Sequence, residues 1–340
     1  MNSAGPFLGR AGHIGRAAAL LGAAVLLSAP APQLRAQAPI ERKPPQLPTL
    51  TVQSHLVGVP VNVMDEHGAP IPGLTVDDCN LSEDGQPQKI AIFERDTSAP
   101  LSIVLAIDAS ESVLRDENLE RSAARHFVKA LVRPQDELDL MEFSDTVREV
   151  VSFTNDPRRI DAGLSNLERG DATALYDAIY LASQRLGETH PGGSSTRRRV
   201  VVLITDGGDT VKGSRYIQAL EQAQRAGAMV YSLIIVPVWA DAGRDTGGEH
   251  ALIQMANDTG GKYYYVTEPK DLEPALSHVS DDLRTQYLLG YYAPERTRLE
   301  GDRDASLRTI AVKLKDPALQ QKYELRYRKA YYPNLSADPK

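Results

Sequence analysis

The chain of 340 residues holds one cysteine, Cys79, and one tryptophan, Trp239. A lone thiol cannot close an internal disulfide or build a cysteine-based zinc site, so the fold must be held by its core. Cys79 stands in DDCNLSEDG where a strand would take a hydrophobe, and buried filler is its expected role. Excess positive charge is also lacking. The formal net charge is −7 and no long basic stripe occurs, which argues against general binding to nucleic acid. The short run Arg197-Arg198-Arg199 precedes an apolar stretch and reads as a solvated strand entry. No Gly-x-x-x-x-Gly-Lys phosphate loop and no Gly-x-Ser-x-Gly elbow is present, and the seven histidines are scattered with none paired at ligand spacing. These absences point away from an enzyme.

Acidic residues are missing before Glu41. Arg10 and Arg16 precede or flank a small, apolar stretch from Ala17 to Ala29, and Ala36-Gln37-Ala38 follows. The apolar run is too short to span a bilayer comfortably, so residues 1–36 read as a cleaved export signal. Removing them takes away three positive charges and no negative one. The expected location is secreted, periplasmic or in the cell envelope, with no membrane span after cleavage. Residues 37–50 carry Pro39, Pro44, Pro45 and Pro48, and each removes a backbone donor. This is an extended linker.

What is present falls into three parts. Residues 51–98 are β in pattern, with Val57, Val59, Val61 and Val63 alternating cleanly. Residues 100–286 alternate strands with helices. Leu101–Ile107, Val200–Thr205 and Met229–Val236 are nearly continuous apolar runs, as central parallel strands buried on both faces require. Helical periodicity covers residues 116–132, 173–186, 216–226, 251–258 and 271–286. A doubly wound, mostly parallel sheet with helices on both faces is predicted. Residues 287–333 return to β, and the two β flanks are expected to pack as a small sandwich-like domain.

The chemistry lies in Asp108-Ala109-Ser110-Glu111-Ser112. Ligands of open α/β sheets bind at the carboxyl ends of strands, and Asp108 and Asp206 each end an apolar run. Carboxylates and hydroxyls gathered on one rim are the hard oxygen donors that a divalent cation takes. Asp-x-Ser-x-Ser, with Thr173 in DATALYD and Asp206 in ITDG, resembles the metal-ion-dependent adhesion site of von Willebrand factor type A domains. The resemblance spans residues 100–286. The segment VNVMDEHGAPIPGLTVDDCNLSEDGQPQKI before the domain and YLLGYY after it resemble the layout of exported bacterial proteins of that kind.

The resemblance implies a Rossmann-like fold. It also implies a metal held by Asp108, Ser110, Ser112, Thr173 and Asp206, the two aspartates acting partly through water. Mg2+ is the expected ion, with Mn2+ or Ca2+ as alternatives. Neutral hydroxyl ligands leave charge on the metal, so an Asp or Glu carboxylate of a partner protein would complete the shell. The last helix, residues 271–286, is the element that shifts in relatives. The expected function is therefore adhesion-type, metal-dependent protein binding without catalysis. A non-adhesive structural or assembly protein of the envelope is the alternative, and a metal-dependent hydrolase stands behind both.

Overall fold

The computed structural model describes residues 55–95, 99–110, 117–189, 197–236, 245–293 and 307–333. The expected signal and linker lie outside them. The N-terminal flank forms β1 (His55–Met64), β2 (Cys79–Glu83), β3 (Gln86–Gln88) and β4 (Ile90–Arg95). The middle of the chain follows as β5 (Leu101–Asp108), α1 (Glu117–Leu131), β6 (Glu137–Phe143), β7 (Val147–Thr154), α2 (Pro157–Leu164), α3 (Leu175–Thr189) and β8 (Arg198–Thr205). It continues through α4 (Tyr216–Ala226), β9 (Ala228–Ile235), α5 (Thr246–Thr259), β10 (Tyr263–Val266) and α6 (Leu272–Arg284). The C-terminal flank supplies β11 (Tyr287–Ala293), β12 (Arg308–Leu314), α7 (Pro317–Lys322), β13 (Glu324–Tyr327) and β14 (Ala330–Tyr331).

All eight residues of β5 are buried because the strand lies inside a six-stranded sheet ordered β10-β9-β8-β5-β6-β7. Every pairing is parallel except β6 with β7. One face packs Ile103, Leu105 and Val202 against Phe127 and Leu131 of α1 and Leu276 and Val279 of α6. The other packs Val104, Val201 and Leu203 against Ile179 of α3, Ala223 of α4 and Leu252 and Met255 of α5. The fold is therefore doubly wound α/β. From β5 the chain crosses to β6 on one side and later returns to β8 on the other. The reversal of strand order opens a crevice beyond the carboxyl ends of β5 and β8, where the sheet has its topological switch point.

The helix ends follow local chemistry. Asp156 caps α2 by accepting from the Arg158 amide at 3.0 Å, with Pro157 at the first helical position. Asp245 caps α5 through the Gly248 amide at 2.9 Å. Gly227 ends α4 at φ 64°, a left-handed conformation that glycine adopts without a Cβ clash. Helix α5 begins well before the periodic stretch that marks it in the sequence, because Thr246, Gly247 and Gly248 are held by this cap rather than by an apolar face.

The flanks interleave. β1 pairs antiparallel with β11 and β13, giving a sheet ordered β13-β1-β11-β4, while β12 joins β2 in a sheet ordered β14-β12-β2-β3. Their shared core holds Val57, Val59, Val61, Val63, Cys79, Leu81, Leu289, Tyr291 and Val312. Burial pushes the Cys79 thiol up to about 11, with Asp78 adding to the shift, so it stays protonated and inert. No helix among the described residues is long and apolar enough to cross a membrane.

Candidate metal centre

Asp108 is the last residue of β5, and its side chain is 0 % exposed. Its Oδ1 accepts from the Ser110 amide at 3.0 Å, and its Oδ2 accepts from the Thr205 hydroxyl at 2.7 Å. The second bond ties the ends of β5 and β8 across the switch point. Among the described residues Asp108 forms no ion pair. Burial raises its carboxyl to about 6 and nearby Asp206 adds to this, while the bonds from Ser110 and Thr205 pull it down. An anion is thus held in a dry place, next to a second anion, and no cation among the described residues balances it.

Ser110 is buried at 2 % exposure and forms a parallel bridge with Gly170. The Gly170 amide donates to the Ala109 carbonyl at 3.2 Å, which lays the threonine loop along the extension of β5. That loop is also fastened to the turn after β6: the Asp171 amide donates to Asp145 Oδ2 at 3.1 Å and the Ala174 amide to the Ser144 carbonyl at 2.8 Å. Thr173 is buried at 5 % exposure just before α3. Asp206 is half-buried after β8, and its Oδ1 accepts from the Gly208 amide at 3.1 Å. Gly207 between them has φ 93°, where a side chain would be strained and would press on the backbone of α5.

The structure therefore brings Asp108, Ser110, Thr173 and Asp206 to one end of the sheet. Ser112 and Glu111 lie outside the described residues. Thr205 is a participant that sequence reading passed over. Its hydroxyl donates to Asp108 and accepts from the Gly207 amide at 3.1 Å, and its place just before Asp206 in ITDG was the available signal. Asp209 caps α3 by accepting from the Tyr176 amide at 3.3 Å, and burial raises its carboxyl. Asp177 is half-buried and accepts from the Ser214 amide at 2.7 Å.

The donor set is hard oxygen throughout, two carboxylates with hydroxyls, and no thiol or imidazole belongs to it. No group of three or more His, Cys, Asp and Glu side chains is gathered for a metal among the described residues. A cation here would rest on the mixed carboxylate and hydroxyl set, whose chemistry fits Mg2+ or Mn2+.

Residues 103–208, from β5 to the loop carrying Asp206, match the family profile described as von Willebrand factor type A domain. This segment belongs to the von Willebrand factor type A family. Among solved structures, this chain is similar to the conserved hypothetical protein BatB from Bacteroides thetaiotaomicron, with 21 % identity over 54 % of this chain and 98 % of that one, at a TM-score of 0.41. The SpRpn10 VWA domain is 14 % identical over 52 % of this chain and 93 % of its own, at 0.42. Proximal thread matrix protein 1 from the mussel byssus, in a structure with a zinc-occupied MIDAS motif, is 13 % identical over 61 % of this chain and 50 % of its own, at 0.45. No curated protein matches the sequence.

Proposed function

We propose that this chain is an exported, non-catalytic protein that binds a partner protein through its type A domain in a metal-dependent way. Asp108, Ser110, Ser112, Thr173 and Asp206 would hold the ion, with Mg2+ as the first choice and Mn2+ or Ca2+ as alternatives. The observation that carries the reading is Asp108. It is a fully buried carboxylate at the switch point, bonded to Ser110 and Thr205, and no protein cation among the described residues neutralises it. When bound, the ion would act as a Lewis acid with a site open to an Asp or Glu carboxylate of the partner.

The chain's own groups do the rest. The Ser110 amide and the Thr205 hydroxyl orient the Asp108 carboxylate, and the loops around Thr173 and Asp206 are pinned by backbone bonds, so little ordering is left for the moment of binding. Type A domains are generally interaction modules rather than enzymes. The N-terminal charge pattern supports export to the periplasm, the envelope or the medium.

Titration calorimetry of the purified chain with Mg2+ and Mn2+, beside Asp108→Ala, tests this. Saturable heat in the parent, lost in the variant, is expected. A natively folded parent that takes up neither ion would sink the metal reading.

A further inference from the structure

Around Thr173 the backbone bonding is denser than folding the helix behind it requires. The Thr173 amide donates to the Thr210 hydroxyl oxygen at 2.8 Å. In return, the Thr210 amide donates to the Thr173 carbonyl at 2.9 Å, and the Val211 amide reaches the same carbonyl at 3.3 Å. Both polar groups of the Thr173 backbone are thus spent on the loop that follows Asp206. The clasp continues in both directions: Asp209 caps the first turn of α3 through the Tyr176 amide, and Asp177 of α3 accepts from the Ser214 amide. Gly213 permits the last contact, since a Cβ there would collide with the Asp177 carboxylate.

Helix α3 does not need this clasp to dock. Leu175, Ala178, Ile179, Ala182 and Leu186 are all completely buried against the sheet. Thr210 itself is exposed, so its side chain adds little to the core. What its hydroxyl does set is the relation of two loops, one carrying Thr173 and the other Asp206. The other attachments of the threonine loop, through Gly170, Asp171 and Ala174, run to the strands and turns on the β5 and β6 side. Thr210 supplies the one side-chain link from the Thr173 backbone to the β8 side among the described residues, beside the backbone amides of Thr210 and Val211.

We propose that Thr210 is a positioning residue for the metal centre: its hydroxyl accepts the Thr173 amide and thereby holds the Thr173 side chain at the spacing from Asp206 that a cation requires. The inference rests on the metal reading above. Partners that orient metal ligands without touching the ion commonly govern affinity by about 10- to 100-fold.

The test compares Thr210→Val, which keeps the shape and loses the acceptor, with Thr210→Ser, which keeps the hydroxyl. Three quantities are read on the full chain: Mn2+ affinity by calorimetry, the thermal midpoint, and hydrogen exchange of residues 170–178 without metal. Thr210→Val is expected to bind Mn2+ about tenfold more weakly, with an unchanged midpoint and faster exchange at Thr173, while Thr210→Ser behaves as the parent. Parent-like affinity in Thr210→Val would overturn the proposal and leave the metal centre standing. A fall in affinity that tracks a fall in midpoint, or one that Thr210→Ser does not rescue, would also overturn it, by showing a merely structural prop. A parent that binds no Mn2+ would remove the metal centre itself and this inference with it.

Discussion

At the scale of single residues, the informative side chains are charged ones placed where charge is costly. Asp139 on β6 is fully buried, with the Arg185 guanidinium 3.8 Å from its Oδ2. Burial raises its carboxyl to about 8, Glu149 adds to the shift, and Arg185 opposes it. An acid whose pKa is higher in the folded chain binds more protons there than in the unfolded one. Its penalty is absent below the unfolded value of about 4 and complete above the folded value of about 8. Stability from urea unfolding should therefore lose ground between those limits in the parent. Asp139→Asn should flatten that slope and be the more stable protein at pH 8, by about 1 kcal/mol or more. A variant weaker than the parent at every pH would mean that Arg185 holds Asp139 ionised. The arginine run teaches a related lesson. Arg198 donates to the Leu283 carbonyl and to Gln286, both at 2.8 Å, and Arg199 donates to the Ala226 carbonyl at 2.7 Å. These residues are not a solvated strand entry. They satisfy carbonyls left open at the ends of α6 and α4, and the distance along the chain to those carbonyls hides the role from a sequence reading.

At the scale of elements, long periodic segments were legible and short ones were not. The strands β5, β8 and β9 and the helices α1 and α4 follow from apolar runs and helical spacing, because burial on two faces or one leaves those patterns in the chain. Helices α2 and α7 are too short for a period, and each is set by an aspartate cap followed by proline. β14 has two residues. The tyrosines near the C-terminus divide as strand faces do: Tyr287, Tyr291, Tyr327 and Tyr331 are buried, while Tyr292 is 56 % exposed. Tyr291 and Tyr331 both donate to Glu83 Oε2, at 2.6 and 2.9 Å, and Arg308 donates to Oε1 at 2.9 Å. This network staples the β11 sheet to the β2–β12 sheet inside the sandwich. Glu83 lies more than 200 positions from each of its three partners, so no local pattern announces the network. Glu83→Ala should cost about 3–5 kcal/mol in denaturant unfolding, since it removes the buried carboxylate that a guanidinium and two hydroxyls donate to. A loss under 1 kcal/mol would show the network to be incidental.

At the scale of the molecule, the sandwich and the α/β part share a boundary. The last residues of β1, Val61–Met64, are buried on both sides of the strand, so the inward and outward alternation seen at Leu56–Val59 stops there. Asn62 and Met64 face the α/β part, where Arg326 of β13 contacts the Met64 sulfur and pairs with Asp282 of α6 at 3.0 Å. Tyr264 of β10 donates to the same Asp282 oxygen at 3.0 Å. The last helix of the α/β part, α6, is thereby tied to the C-terminal flank. Arg326→Ala leaves Asp282 buried without its counter-charge, a loss of about 3–5 kcal/mol. In scanning calorimetry the parent should unfold in one endotherm, and the variant should show the sandwich melting ahead of the α/β part. Identical single endotherms would show that the boundary carries no weight.

The order of the long strands and helices and the class of fold are determined by the sequence alone, and so is the set of residues proposed to hold a cation. Burial periodicity and the spacing of Asp108, Ser110, Ser112, Thr173 and Asp206 are local properties of the chain. The tertiary structure decided which strands become neighbours and where the order reverses. It therefore decided that Asp108 meets Thr205, that Thr173 meets Thr210, and that the buried charges at Glu83 and Asp282 find their partners. Those contacts depend on chain segments tens to hundreds of residues apart, and only the closed sheets bring them together.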